Sequence, residues 1–293
     1  MVGITSIANA LLNGLTSGML TFLIAVGLTL IFGVLGVLNF AHGSLYMGGA
    51  FFTFFLVTGQ FLGENFWLAA IVSALLIAVV GGVIERSIIR PIYDQDHVFQ
   101  LLLTFALVLV LDNMARLLWG TNFRSVDVPD LLAFRISVFG QQYPAYNLFL
   151  ILMGAFVAIA MWVAFERTKA GKIIRAASQD RDIANAMGIN VPRVFTLTFV
   201  VGSALAGFGG ALAAPYTTIT PSMGETIIIE SFIVVIIGGL GSFRGALVGA
   251  LLLGLVKGLA FLFFSDLQAI APFLLLAGVI LIRPSGIFGG EQA

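Results

Sequence analysis

The first 63 residues contain no Asp, Glu, Lys or Arg. A soluble domain has to cover its exterior with polar side chains, so an uncharged apolar opening of that length does not fit one. The shortage runs through all 293 residues, which are 60% hydrophobic and 10% charged with a mean hydropathy of +1.10. An exterior this apolar has to face hydrocarbon, and the chain reads as a polytopic membrane protein. No basic run precedes the first apolar stretch, so that stretch is expected to stay as a span and not to be cleaved. With zero net charge and no basic run of five or more residues, the chain lacks the electrostatic footprint of a nucleic-acid binder. The absence of Cys excludes disulfides, thiolate metal sites and thiol nucleophiles.

The apolar runs are long and lack two-residue alternation, which makes them helices and not barrel strands. Spans are expected at residues 8–33, 44–60, 66–90, 98–119, 144–165, 192–214, 226–240, 246–264 and 268–283. Residues 8–40 are long enough to break in two, so the fold class is an all-α integral membrane protein of about eight to ten transmembrane helices in one domain, 1–293. Arg167, Lys169, Lys172, Arg175, Arg181 and Arg193 crowd one connection, 166–191, which the positive-inside rule makes cytoplasmic. Alternation from there puts Arg86, Arg90, Arg244 and Arg283 inside as well. Arg124 and Arg135 then lie outside, in the extracytoplasmic loop 120–143. The N-terminus is outside and the C-terminus inside. Trp67, Trp119, Tyr143 and Tyr216 form an outer aromatic belt and Tyr93 and Trp162 an inner one, while Tyr46 fits neither. An odd span count and glycine-rich breaks in both halves suggest the inverted repeat of many transporters.

Three segments stand out. In the first, Gly33 to Gly49, Asn39 and His42 are strongly polar groups in an apolar stretch, and Gly33, Gly36 and Gly43 permit a helix break beside them. Two readings stay open: a solute path through Asn39, His42, Gly43 and Tyr46, or polar groups that staple neighbouring helices. The second, Thr168 to Ile189, reads as one amphipathic cytoplasmic helix closed by Gly188, with Ile173, Ala177, Ala184 and Met187 on one face. It is either a solvated loop helix or a docking element, with Arg175, Ala176, Asp180, Ala184 and Gly188 as its contact residues. The third, Val234 to Gly249, holds Gly238, Gly239 and Gly241 beside Arg244. It lacks the order of a phosphate-binding loop, so a tight turn between spans explains it better, with a weaker second contribution to the path.

Catalysis finds no support: there is no G-x-S-x-G, no H-E-x-x-H and no Walker motif, and no metal or cofactor is expected. Asp112, Glu230 and Asp266 fall towards outer span ends, which weakens an ion-coupled carrier without removing it as the runner-up.

Together the strings resemble one family, the Liv-type permeases of branched-chain amino acid ABC importers. Asn39-Phe-Ala-His-Gly43 resembles its N-terminal signature in the LivH-like subunit, and Arg175 to Ile189 its cytoplasmic loop. Gly238 to Ala246 and Arg283-Pro-Ser-Gly286-Ile-Phe-Gly resemble its C-terminal half. Ser44 departs from the pattern, since many members carry Glu there. The resemblance implies a second, LivM-like permease, two cytoplasmic ATPases docked on the 166–191 loop, an extracytoplasmic substrate-binding protein, a bacterial inner membrane and neutral amino acids as solutes. Relatives that move urea or short amides keep that alternative open, and a channel or carrier acting alone is the rival class.

The orientation is testable in a chain without native Cys. A Ser178→Cys variant should react with an impermeant maleimide only after the cytoplasmic face is opened. Labelling from outside intact cells would reverse the topology.

Overall fold

The computed structural model describes residues 4–59, 61–62, 65–138 and 140–289. Among them are eleven α-helices and one small antiparallel hairpin. The nine expected spans appear as α1 (Ile4–Leu35), α2 (His42–Thr58), α3 (Phe66–Ile84), α4 (His97–Trp119), α5 (Ala145–Arg167), α8 (Val191–Ala213), α9 (Met223–Gly238), α10 (Phe243–Phe263) and α11 (Ala271–Ile282). Between α5 and α8 lie α6 (Lys169–Gln179) and α7 (Arg181–Ala186). The 120–143 loop carries β1 (Arg135–Val138) and β2 (Gln141–Pro144), paired with Val138 opposite Gln141.

Six helices are long and apolar enough to cross a bilayer: α1, α3 with its extension, α4, α5, α8 and α10. The stretch that was long enough to break does not, since α1 is a single helix of 32 residues. Its apolar window is 89% buried, against 33% for α4 and 28% for α5. The bundle is therefore built around α1, with α4 and α5 turned towards lipid through side chains such as Leu102, Phe105, Leu152 and Phe156.

Burying leucine against leucine gains little when lipid is as apolar as the core, so close backbone approach does much of the holding. Gly14 and Gly18 of α1 meet Gly254 and Ala250 of α10 so closely that an added Cβ on either α1 glycine would overlap an α10 carbonyl oxygen. Gly27 and Gly202 join α1 to α8 in the same way, and Gly49 packs on Gly207 to join α2 to α8.

Side-chain oxygens start several helices. Asn65 accepts from the Leu68 amide, Thr168 from Gly171, Asn190 from Arg193 and Ser242 from Gly245. At the basic end α3 loosens into a π turn, Glu85–Ile89. There Glu85 is fully buried and accepts from Arg90 Nε and Nη2 at 3.2 Å and from the Tyr93 hydroxyl at 2.7 Å. Arg90 also donates to Thr196 of α8, which ties the ends of α3 and α8 together.

The cytoplasmic connection differs from its expected form. Asp180 divides it into two helices by accepting from the amides of Asp182 and Ile183, which caps α7 and ends α6. The residues expected on one face are split: Ala177 and Ala184 are buried against the chain, whereas Met187 is 78% exposed. Gly188 does close α7, at φ +84° with its amide donating to Asn185 O.

Gly254→Leu should separate α1 from α10. Overpacking of this kind costs about 1–3 kcal/mol, and the variant should melt earlier in detergent. Gly278→Ala, where an added Cβ meets nothing within 4 Å, should be neutral or stabilising by about 0.5–1 kcal/mol because it only improves helix propensity. Equal thermal behaviour of the two would refute the close-packing account.

Candidate functional site

The helix α1 ends where Gly36 adopts φ +72°, a conformation that costs a side chain but not glycine. The Gly36 amide donates to Phe32 O at 2.9 Å. Residues 36–41 then run non-helically back into the bundle, steadied by Thr104 of α4, whose hydroxyl donates to Leu38 O at 3.2 Å. The next helix consequently begins deep inside, since His42, its first residue, donates from Nε2 to Ile24 O of α1 at 3.2 Å. A ring nitrogen facing a carbonyl carries the proton, so Nδ1 of the neutral ring is an acceptor, and it has no partner among the described residues.

This starting depth explains why α2 has only 17 residues and α9 only 16. Their N-termini meet inside the bundle, with Gly43 and Gly224 so close that a Cβ on either would overlap the other's backbone oxygen. Neither start has a side-chain cap. Two helix starts without side-chain caps thus lie together, their first amides bonded to backbone: His42 and Gly43 donate to Asn39 O and Phe40 O, and Met223 and Glu225 to Thr220 O and Ser222 O. Acidic groups answer them: Ser44 in the first turn of α2 donates to Asp112 Oδ1 of α4 at 2.8 Å, and Glu225 sits in the first turn of α9. Ser44 is therefore beside a carboxylate supplied by another helix.

Asn39 is fully buried, and neither its amide nitrogen nor its oxygen has a partner among the described residues. Unpartnered hydroxyls of Thr29, Thr198 and Ser203 belong to α1 and α8, which meet at Gly27 and Gly202; Gly27 also abuts the His42 ring, whereas Ser203 faces Gly81 of α3. Buried polar groups are normally bonded, so a cluster left open is either wetted or waiting for a ligand.

Two cavities flank this layer. One, of about 320 Å3, is lined by Ser17, Thr21, Tyr46, Tyr216, Thr226, Glu230 and Lys257 among others. Burial holds the Tyr216 hydroxyl above its usual pKa range, so it stays protonated. The other, of about 820 Å3, lies at the basic end and includes Thr29, Gly33, Trp162, Arg175, Gly241 and Arg244. Arg244 reaches Glu166 across it at 3.6 Å. At 3.6 residues per turn, Ser17, Leu20 and Thr21 point away from Val26, Thr29, Leu30 and Gly33, so the cavities open on opposite faces of α1.

Of the expected path residues, Tyr46 lines the smaller cavity, whereas Asn39 and His42 line neither. Gly238, Gly239 and Gly241 stand apart from them. Gly241 packs on Gly33, nine residues along α1 from Ile24 and so about 13 Å from the His42 level. Gly238 is the last residue of α9 and Gly239 its C-cap, packed on Gly245 and on the closing segment, where the Ile287 and Phe288 amides donate to Ile237 O and Gly238 O at 2.8 and 3.1 Å. The sequence reading also passes over Lys257, which donates to Glu230 Oε1 at 2.6 Å. A lone lysine inside an apolar span is itself the signal that could have found it.

Residues 10–283 match the family described as branched-chain amino acid transport system, permease component. The chain is 32% identical to the high-affinity branched-chain amino acid transport system permease protein LivH of Escherichia coli K12, over 96% of this chain and 94% of that protein. It is also 32% identical to BraD of Pseudomonas aeruginosa, a permease of the same description, over 96% and 95%. The permease LivM of Escherichia coli K12 is 23% identical over 81% of this chain and 60% of its own length.

If Asn39 is kept for function and not for folding, Asn39→Leu should leave thermal stability unchanged or raise it, since it removes unpartnered buried donors and an acceptor worth about 1–3 kcal/mol. A melting temperature well below that of the parent would show instead that the amide holds the helices together.

Proposed function

The chain belongs to the branched-chain amino acid transport permease family, and on that premise we propose that it is the LivH-type subunit of a bacterial inner-membrane importer for branched-chain or similar neutral amino acids. It is a transport component and not an enzyme. Its partners in this reading are a LivM-like permease, two cytoplasmic ATPases and an extracytoplasmic binding protein, with the basic end of the bundle in the cytoplasm.

One observation carries the choice against a channel or carrier acting alone: the two cavities lie on opposite faces of α1, separated by the buried layer of Asn39 and His42. These two cavities do not join along one face of α1, which favours a path completed against a second permease. In this reading Asn39, His42, Gly43 and Tyr46 form the gate of that path. They suit it because an amide, an imidazole and a phenol bind a neutral solute without the tight grip of a net charge. Gly238, Gly239 and Gly241 serve by holding the turn that backs the inner cavity.

The ATPase contact is assigned to the Arg175 to Gly188 segment, centred on its exposed residues and not on Ala184. Ala184 is 3% exposed and Ala177 fully buried, so they set the seat of α6 and α7 on the chain, while Ile183 (63% exposed) and Met187 face outward. Arg175 is held by Phe165 O and Asp180 caps α7, so these residues shape the element.

Ile183→Asp with Met187→Asp should leave membrane insertion intact and abolish co-purification of the ATPases. Two central apolar contacts at about 2 kcal/mol each amount to about a thousandfold in affinity. Normal co-purification would move the docking surface elsewhere. Solute flux driven by an ion gradient through the chain alone in liposomes, without nucleotide, would end the importer reading.

A further inference from the structure

The helices α9 and α10 carry an ion pair where hydrocarbon-spanning helices rarely carry charge. Lys257 Nζ lies 2.6 Å from Glu230 Oε1, with the side chains 20% and 17% exposed. The pair does not join distant parts of the fold, because α9 and α10 are consecutive helices already packed through Gly238 on Gly245 and Gly249 on Val234. Replacing such a pair by two apolar residues is often neutral or stabilising, so packing gives no reason for it. Ionisable groups on apolar helices are functional-site candidates by default.

The surroundings point to a ligand. Both side chains line the 320 Å3 cavity, whose size is at the small end of small-molecule sites. Among the described residues Lys257 Nζ has Glu230 as its one bonded acceptor, and Glu230 Oε2 accepts no hydrogen bond. Each partner of the pair thus has bonding capacity to spare. Leu20, Met223 and Ile227 supply an apolar wall in the same cavity, and Tyr46 connects it to the α2 start.

We propose that this cavity is a transient subsite for a free α-amino acid with an aliphatic side chain, with Lys257 taking the α-carboxylate and Glu230 the α-ammonium. The assignment rests on the amino acid importer reading and adds a place and a chemistry to it. A zwitterion is the one small solute that matches both charges at once. When it enters, the Glu230–Lys257 contact opens and two ion pairs replace one. When it leaves, the side chains pair with each other again, so neither charge is ever left bare. Binding is then reversible and weak, as conduction requires. A neutral amide leaves the pair closed, and a simple anion or cation satisfies only one partner and strands the other.

The absence of Cys allows a direct test in the purified complex of this chain with its partners. Thr226 lines the cavity and is exposed, so Thr226→Cys should react with a cationic methanethiosulfonate reagent. L-leucine should slow that reaction in proportion to occupancy, about tenfold at roughly ten times its dissociation constant. L-leucinamide, which lacks the carboxylate, and 4-methylpentanoate, which lacks the ammonium, should not. In Thr226→Cys with Glu230→Gln and Lys257→Met, the protection by leucine should vanish. If that variant does not assemble, the comparison of leucine with its two truncated analogues on Thr226→Cys alone decides the matter. Equal protection by all three compounds, or protection that survives the loss of both charges, would overturn the proposal. So would the absence of protection in a complex that transports leucine, which leaves the importer reading standing. A parent complex that does not take up leucine at all would bring down that reading first.

Discussion

Everything in this bundle depends on how closely backbones approach α1. In a bilayer, apolar side chains gain little by leaving lipid for protein, so helices associate where small residues let main chains touch. The glycines at positions 14, 18 and 27 each place α1 against a carbonyl oxygen of α10 or α8, and Gly33 packs on Gly241 in the turn before α10. These contacts fix α1 in depth and rotation. They also fix which of its faces looks into each cavity, because a helix locked at four glycines along its length cannot turn to present another.

The same locking lets the chain keep polar groups where hydrocarbon would ordinarily reject them. Residues 36–41 are non-helical inside the bundle, tolerable because protein and not lipid surrounds them. Their return path starts α2 at the level of Ile24, and the start of α9 meets it at Gly224. Interrupted helices whose N-termini meet at depth are a recurrent way for transporters to offer backbone dipoles to a solute. Here the dipoles are answered by Asp112 and Glu225, and the unpartnered amide of Asn39 lies nearby in sequence and in depth. The site holds unmet bonding capacity at Asn39 and His42 beside two carboxylates.

The division of the bundle into two ends has a mechanical side. At the basic end, α6 and α7 are seated through buried alanines, with Arg181 donating to Leu35 O at the end of α1. This contact ties the first residue of α7 to the terminus of the central helix, and Gly36, at φ +72°, is the next residue along. At the other end, the Glu230–Lys257 cavity shares Ser17, Leu20 and Thr21 of the same helix.

Much of this was determined by sequence alone. Hydropathy and length place nine helices, the distribution of Lys and Arg separates the two ends, and the glycines around Asn39 mark the break. Gly188 announces the end of α7. Such features are local, because composition and helix-terminus chemistry act within a few residues. What the sequence left open concerns partners far apart along the chain. Ser44 finds Asp112 68 residues away, and Lys257 finds Glu230 27 residues away. Ala184 turns inward although its spacing from Met187 puts both on one face of a single continuous helix, because the Asp180 cap breaks that helix. Asn39 and the Gly238–Gly241 turn, both glycine-marked in sequence, lie at different depths. Periodicity reports which residues share a face of one helix. Which face meets which neighbour, and at what depth, is set by interhelical approach at single glycines, and only the tertiary structure decides that.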